Sequence, residues 1–191
     1  MQHTLILHKV MNEIILETPR LYLKVITPTL IHHLFNTQTA EEICAFFGLN
    51  EQGYQKYKEM HQKGMETYQL SFLFFLLIDK TTRLPIGDCG FHTWNKKHSR
   101  AELFYFLKED SFKQKGFMTE ALPYVLKYGF DQMNLNRVEA LIAQWNEPSL
   151  RLISKYGFTK EGVMRKDYFE NNNFEDSICY SLLRSEFAIK N

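Results

Sequence analysis

Residues 72–78 and 103–107 are apolar at consecutive positions rather than at alternate ones, most plainly in Phe72-Leu73-Phe74-Phe75-Leu76-Leu77-Ile78. A strand with one wet face alternates between apolar and polar residues, whereas a strand covered on both faces reads as a short unbroken apolar run. Residues 86–94 lie between the two runs as a further strand. The connecting stretches Thr81-Thr82-Arg83-Leu84-Pro85 and Asn95-Lys96-Lys97-His98-Ser99 are turn-forming. The three segments predict an antiparallel meander at the middle of a sheet, and a sheet buried on both sides requires further layers packed against it.

The rest of the chain supplies those layers. Ile14-Ile15-Leu16 and Leu21-Tyr22-Leu23-Lys24-Val25 read as a strand broken at Pro19 and then resumed. Residues 28–68 turn helical, with Leu30, Leu34, Ile43, Phe46 and Phe47 at spacings of three and four and with Gly48, Gly53 and Gly64 as punctuation. Leu122, Val125, Leu126, Phe130 and Met133 mark one face of a helix that starts shortly after Gly116 and ends near Asn134. A strand over 138–143 follows, and a helix leading into a buried strand implies a right-handed crossover and a parallel component in the sheet. Asn146 is a good N-cap for a second helix, Pro148 fits its first turn, and Gly157 supplies a left-handed end. Residues 158–163 and 174–183 read as two closing strands joined at Glu170-Asn171-Asn172-Asn173. The predicted class is α/β (α+β): a mixed, mostly antiparallel central sheet flanked by helices.

A chain of 191 residues suits one domain, expected over residues 11–187 with an extension at 1–10, Met11 being an alternative start. The formal net charge of +1 gives no general attraction to nucleic acid or an anionic membrane. Cys44, Cys89 and Cys179 are sparse, odd in number and widely spaced, so they are expected reduced and buried. Residues 1–10 lack the features of a signal peptide, and 72–78 is far shorter than the roughly 20 residues needed to span a bilayer. A cytoplasmic location is expected.

The segment Phe106-Leu107-Lys108-Glu109-Asp110-Ser111-Phe112-Lys113-Gln114-Lys115-Gly116-Phe117-Met118-Thr119-Glu120 runs from a buried strand through a polar loop into a helix. Free N–H groups at a helix head, with the positive end of its dipole, suit a phosphate, and Lys113 and Lys115 add charge. A plain strand-to-helix turn with solvated lysines fits the same residues. The single glycine excludes a nucleotide P-loop and a dinucleotide fingerprint. His92 is isolated, no zinc-type motif is present, and no metal is expected.

Taken with Phe104-Tyr105-Phe106-Leu107, Asn134-Leu135-Asn136-Arg137-Val138 and the run Asn146-Glu147-Pro148-Ser149-Leu150-Arg151-Leu152-Ile153-Ser154-Lys155-Tyr156-Gly157-Phe158, this loop resembles the GNAT superfamily of N-acetyltransferases, in its RimJ/RimL branch. The likeness extends from Thr18-Pro19-Arg20-Leu21 to the last strand. It implies a GNAT fold whose sheet opens into a V between strands 100–107 and 138–143, with acetyl-CoA as co-substrate in the gap. It further implies that Lys113, Gln114, Lys115, Gly116, Phe117, Met118 and Thr119 hold the pyrophosphate, that the backbones of Phe106, Leu107 and Lys108 hold the pantetheine arm, and that Asn146 contacts the coenzyme as well as capping its helix. Lys113 and Met118 depart from the family's Q/R-x-x-G-x-G/A loop, and Met118 places a bulky residue where the family has a tiny one. Phe46, Phe47 and Tyr54 are implied to wall the acceptor cleft on one side and residues 168–176 on another.

The chemistry sets three needs. An amine with pKa near 10.4 is mostly ammonium at neutral pH and must lose a proton; Glu102, at the family's A-E-I-G-Y position, is the candidate base, and a solvated glutamate beside Arg100 is the plain alternative. The oxyanion needs donors, for which N–H groups around Leu107 would serve. The departing thiolate benefits from an acid; the family's tyrosine position is Ile153, whereas Ser149 matches a serine of the RimJ/RimL branch and otherwise simply opens its helix. The expected activity is direct acetyl transfer to a protein N-terminal amine or a small amine such as a polyamine or drug. A non-catalytic acyl-CoA-binding module and an enzyme using a longer acyl donor stay open, as does a homodimer.

Overall fold

The computed structural model describes residues 15–187. The expected extension 1–10, Met11 and Ile14 lie outside the described residues. In chain order the elements are β1 (Ile15–Glu17), β2 (Leu21–Ile26), α1 (Pro28–Thr37), α2 (Ala40–Phe47), α3 (Glu51–Lys63), β3 (Leu70–Asp79), β4 (Pro85–Asn95), β5 (Arg100–Leu107), a 3-10 turn (Asp110–Phe112), α4 (Phe117–Asp131), β6 (Arg137–Ala143), α5 (Glu147–Lys155), β7 (Thr159–Glu170) and β8 (Asn173–Leu183). The strands form one sheet in the order β1-β2-β3-β4-β5-β6-β8-β7. Every neighbouring pair is antiparallel except β5 and β6. The mixed, mostly antiparallel sheet and its crossover through α4 are thus as the sequence implies.

The unbroken apolar run of β3 has a direct explanation in the two cores. Phe75 and Leu77 point into a cluster with Leu23, Phe91 and Leu103, closed by Ala121, Leu122, Val125, Leu126 and Phe130 of α4. Phe74 and Leu76 point the other way, against Leu30, Ile31, Leu34, Ile43 and Phe47 of α1 and α2. Successive side chains of a strand face opposite sides, so a sheet with helices on both sides needs apolar residues at every position. Each fully buried Phe or Leu contributes about 1.5–3 kcal/mol relative to exposure.

The helical stretch after β2 is three helices rather than one. Thr27 caps α1, and Thr39 with Glu42 forms a reciprocal capping box for α2. Gly48 then takes a left-handed φ of 63° to end α2, and Asn50 caps α3. Strand β7 runs well beyond the expected 158–163, to Glu170. Asn171 and Asn172 both hold positive φ, 50° and 61°, as a two-residue hairpin turn requires. All three cysteines are free, but only Cys89 is fully buried; Cys44 and Cys179 are partly exposed, which corrects the expectation for those two.

Candidate active site

Strands β5 and β6 pair over only three positions, Arg100↔Arg137, Ala101↔Val138 and Glu102↔Glu139, and then part. The wedge between them is a cavity of about 250 Å³ whose lining includes Glu102, Tyr105, Ile142, Asn146 and Ser149. The sheet therefore opens at the place the family resemblance implies, and the opening brings Glu102, Asn146 and Ser149 together although they span 48 positions of chain.

The backbone of β5 decides which groups face this wedge. The Lys108 N–H donates to Ile86 O at 2.9 Å, on the β4 side. Hydrogen-bonded and outward-facing pairs alternate in an antiparallel ladder. Given the β4–β5 register, Phe106, Phe104 and Glu102 therefore also turn their N–H groups toward β4, leaving Tyr105 and Leu107 facing the wedge, with Leu103 the last residue to meet β6. Of the three residues expected to offer backbone to a pantetheine arm, Leu107 has the right orientation. The N–H groups of Phe106 and Lys108 serve the sheet instead, a correction that follows from strand parity.

Glu102 is only 22% exposed at its side chain, and burial, with Asp167 and Glu139 adding repulsion, pushes its carboxyl up to about 6. His92 stands opposite it on β4, Nε2 lying 3.6 Å from Glu102 Oε1. Burial depresses the His92 pKa, so the imidazole is neutral near pH 7 and able to accept a proton. The 3.6 Å separation is outside hydrogen-bond range, as pairs at unliganded sites often are. In sequence His92 looks isolated; the signal was the pairing of the strands, which puts the tenth residue before Glu102 beside it.

On the other face of β5, the Tyr105 hydroxyl is buried without a formed hydrogen bond, close enough to Ser149 for that hydroxyl to oppose the rise that burial imposes on the phenol. Asn146 Oδ1 accepts from Ser149 N at 3.3 Å, so Asn146 does cap α5. Ile153 is fully buried. Tyr156, three residues on, donates its hydroxyl to the Thr119 carbonyl and ties α5 to the head of α4.

At that head, Gly116 holds φ 78° as the N-cap with no side-chain cap, and the first helical bond is Glu120 N to Gly116 O. The N–H groups of Phe117, Met118 and Thr119 precede that bond and have no partner within the helix. Phe117 and Met118 turn their side chains into the core, 8% and 9% exposed. The bulk of Met118 thus points away from the loop and does not obstruct the N–H groups, which corrects the expectation from its size. Lys113 pairs with Asp110 at 2.6 Å on the surface, and the Lys115 carbonyl accepts from Arg20 at 3.0 Å. Glu120 accepts from Thr18 Oγ1, Arg20 N and Arg20 Nε at 2.5, 2.7 and 2.6 Å, so Thr18-Pro19-Arg20 latches the start of β2 to the first turn of α4.

A second, larger cavity of about 830 Å³ lies on the α1–α3 side of the sheet and meets the wedge at His92 and Phe104. Its helical wall includes Gly48, Asn50, Lys56, Tyr57 and Met60. Phe46, Phe47 and Tyr54 do not line it: Phe47 is fully buried, Phe46 lies under the Lys24 ammonium, and Tyr54 stacks on Phe35. Residues 168–176 line neither cavity. Among the described residues, no cluster of three or more His, Cys, Asp or Glu is gathered for a metal, and no helix is long and apolar enough to cross a membrane.

An open sheet with a wedge between two parallel strands, an uncapped helix head beside it and a carboxyl at its apex is the arrangement of an acyl-transfer fold. Residues 20–159 match the acetyltransferase (GNAT) domain, and the chain belongs to that family of acetyltransferases. It is 34% identical to the uncharacterized N-acetyltransferase YoaA of Bacillus subtilis over 89% of this chain and 97% of that one. It is 27% identical to the spermidine N(1)-acetyltransferase of Escherichia coli over 49% of this chain and 50% of that one. Among solved structures, the ribosomal-protein-S5-alanine acetyltransferase of Vibrio fischeri shares the fold with TM-score 0.65 at 20% identity, covering 93% of this chain and all of that one.

Proposed function

We propose that the protein transfers an acetyl group from acetyl-CoA to a primary amine by direct attack, with Glu102 and His92 as the proton-accepting pair and Ser149 with Tyr105 as the proton source for the leaving sulfur. The observation that carries this reading is the wedge after Glu102, where these side chains converge on one cavity. The residues fit the donor. Three partnerless N–H groups and an open left-handed glycine at the head of α4 suit a pyrophosphate, and the outward N–H groups of β5 suit an extended amide-bearing arm.

Acetyl-CoA supplies the activated thioester; the chain does the rest. Gly116, Phe117, Met118 and Thr119 hold the pyrophosphate, with Lys113, Gln114 and Lys115 at its rim. Leu107 aligns the arm, and outward β5 N–H groups nearer Glu102 receive the developing oxyanion. Glu102 takes the ammonium proton, directly or through His92, so that the amine nitrogen bonds to the carbonyl carbon. As the carbon–sulfur bond breaks, Ser149 delivers a proton to the sulfur, the second nitrogen proton passes to His92 or solvent as the amide forms, and Tyr105 stabilises the serine oxygen before solvent restores its proton. The inward turn of Met118 removes one reason for reading the chain as an inactive binding module. Three free cysteines support a reducing compartment, the cytoplasm.

The test is thiol release from acetyl-CoA over a panel of amines. Glu102→Gln is expected to lower kcat by about a hundredfold, the scale of general base catalysis. Because Glu102 accepts a proton only when ionised, the wild-type rate should also fall as pH drops below about 6. Unchanged turnover in Glu102→Gln would discard this role.

A further inference from the structure

The larger cavity holds a charged group that the reaction does not use. Asp88, on β4, lines it, is only 4% exposed, and has no hydrogen-bond partner for Oδ1 among the described residues. A buried carboxylate oxygen without a donor is costly and uncommon in native proteins. The nearest cation does not satisfy it: Lys108 directs its ammonium to the carbonyls of Phe47 at 2.6 Å and Gly48 at 3.4 Å, at the end of α2. Lys108 does favour the ionised carboxylate over distance, and the carboxylate in turn raises the neighbouring Tyr57 phenol further above its ordinary value, behind burial as the main cause. Asp88 thus lines the cavity with a carboxylate oxygen that has no donor among the described residues.

The remaining walls include six aromatic side chains, Tyr57, Phe72, Phe74, Phe104, Phe106 and Phe112, with Lys56, Lys108 and Glu109 as the other charged residues. Aromatic faces with a buried carboxylate make a site for an alkylammonium, held by ring quadrupoles along its length and by a charge-assisted hydrogen bond at its end. His92 lies four residues along the same strand, opposite Glu102, and lines the same cavity. Four residues of extended strand span about 13 Å, so the two side chains leave the strand about 13 Å apart.

We infer that Asp88 anchors the distal ammonium of a linear di- or polyamine long enough for its other amine to be presented to His92 and Glu102, about 13 Å further along the strand. This deepens the N-acetyltransferase reading and rests on it. The enzyme would measure the distance between two nitrogens, with the aromatic walls accepting the methylenes between them.

The experiment compares acetylation of octane-1,8-diamine, ethane-1,2-diamine and octylamine by the wild type, Asp88→Asn and Asp88→Glu, folding being checked by circular dichroism. The wild type should show a KM for the long diamine lower than that for octylamine by roughly tenfold to a hundredfold, the scale of a charge-assisted hydrogen bond, and no such advantage for the short diamine. Asp88→Asn should erase the ratio through KM rather than kcat, and Asp88→Glu should restore part of it. Turnover of all three amines with equal KM, or an unchanged ratio in Asp88→Asn, overturns the anchor while leaving the acetyltransferase reading intact. Preference for a short peptide amine over every diamine overturns it equally. Thiol release with no amine at all overturns the underlying reading and this inference with it.

Discussion

Asp88 carries a consequence for stability that is opposite in sign to its proposed use. Burial pushes its carboxyl up from 3.8 to about 6, with Lys108 pulling back only in part. Between those values the folded chain binds more protons than the unfolded one, so stability is greatest at acid pH and falls as pH rises through the folded pKa. Above it the ionised carboxylate costs on the order of 3 kcal/mol. Asp88→Asn should therefore raise Tm at pH 7.5 and have little effect at pH 4, as thermal unfolding at the two pH values would register; equal shifts at both would contradict the burial argument. The sequence did not mark Asp88 as special, because one acidic residue inside an apolar strand does not say which side of the sheet it faces or what covers it. His92 was hidden for a related reason, since its meeting with Glu102 depends on the β4–β5 register, which shifts between His92 and Asn95. Glu102, Asn146 and Ser149 were legible because each sits at a fixed place within a local motif.

At the scale of elements, β3 and β4 pack their backbones so closely that a Cβ on Gly90 would lie 2.2 Å from Phe74 Cα and 2.6 Å from Leu73 O. Backbone atoms in mid-sheet cannot move aside as a flexible side chain can. Gly90→Ala is thus expected to destabilise by more than about 4 kcal/mol, at the severe end of single substitutions, or to prevent folding; urea titration measures it, and a loss below 1 kcal/mol would refute the tight approach. Strands β3 to β5 and helices α4 and α5 were readable in sequence because apolar runs, a 3.6-residue stripe and caps are local signals. Strand β7 was read only in part: beyond Val163 it is exposed along most of its length, and an exposed strand leaves no alternation to read. Helices α1 to α3 were seen as helical but not separated, although Thr39 and Glu42 carry the capping-box spacing.

Across the whole molecule, distant segments converge on the head of α4. The start of β2 reaches it through Thr18 and Arg20, and α5 reaches it through Tyr156. The positions of a helix head and of a wedge formed by β5, β6 and α5 are thereby fixed by contacts that span the chain, which explains why no local stretch of sequence could define the site alone. The latch itself is exposed on the Arg20 side, 47% at its side chain, so its contribution lies in orientation more than in stability.

The three-residue pairing of β5 with β6 leaves the amides of Tyr105 and Leu107 without a strand to meet. A sheet in that condition is unfinished, and on the proposed function the coenzyme's own peptide-like arm is the piece that would complete it. Deuterium uptake at these two amides should slow by at least tenfold when acetyl-CoA is added, while the amides of Phe104 and Phe106, already held by β4, change little. The substrate would then act, for the length of each turnover, as a temporary ninth strand.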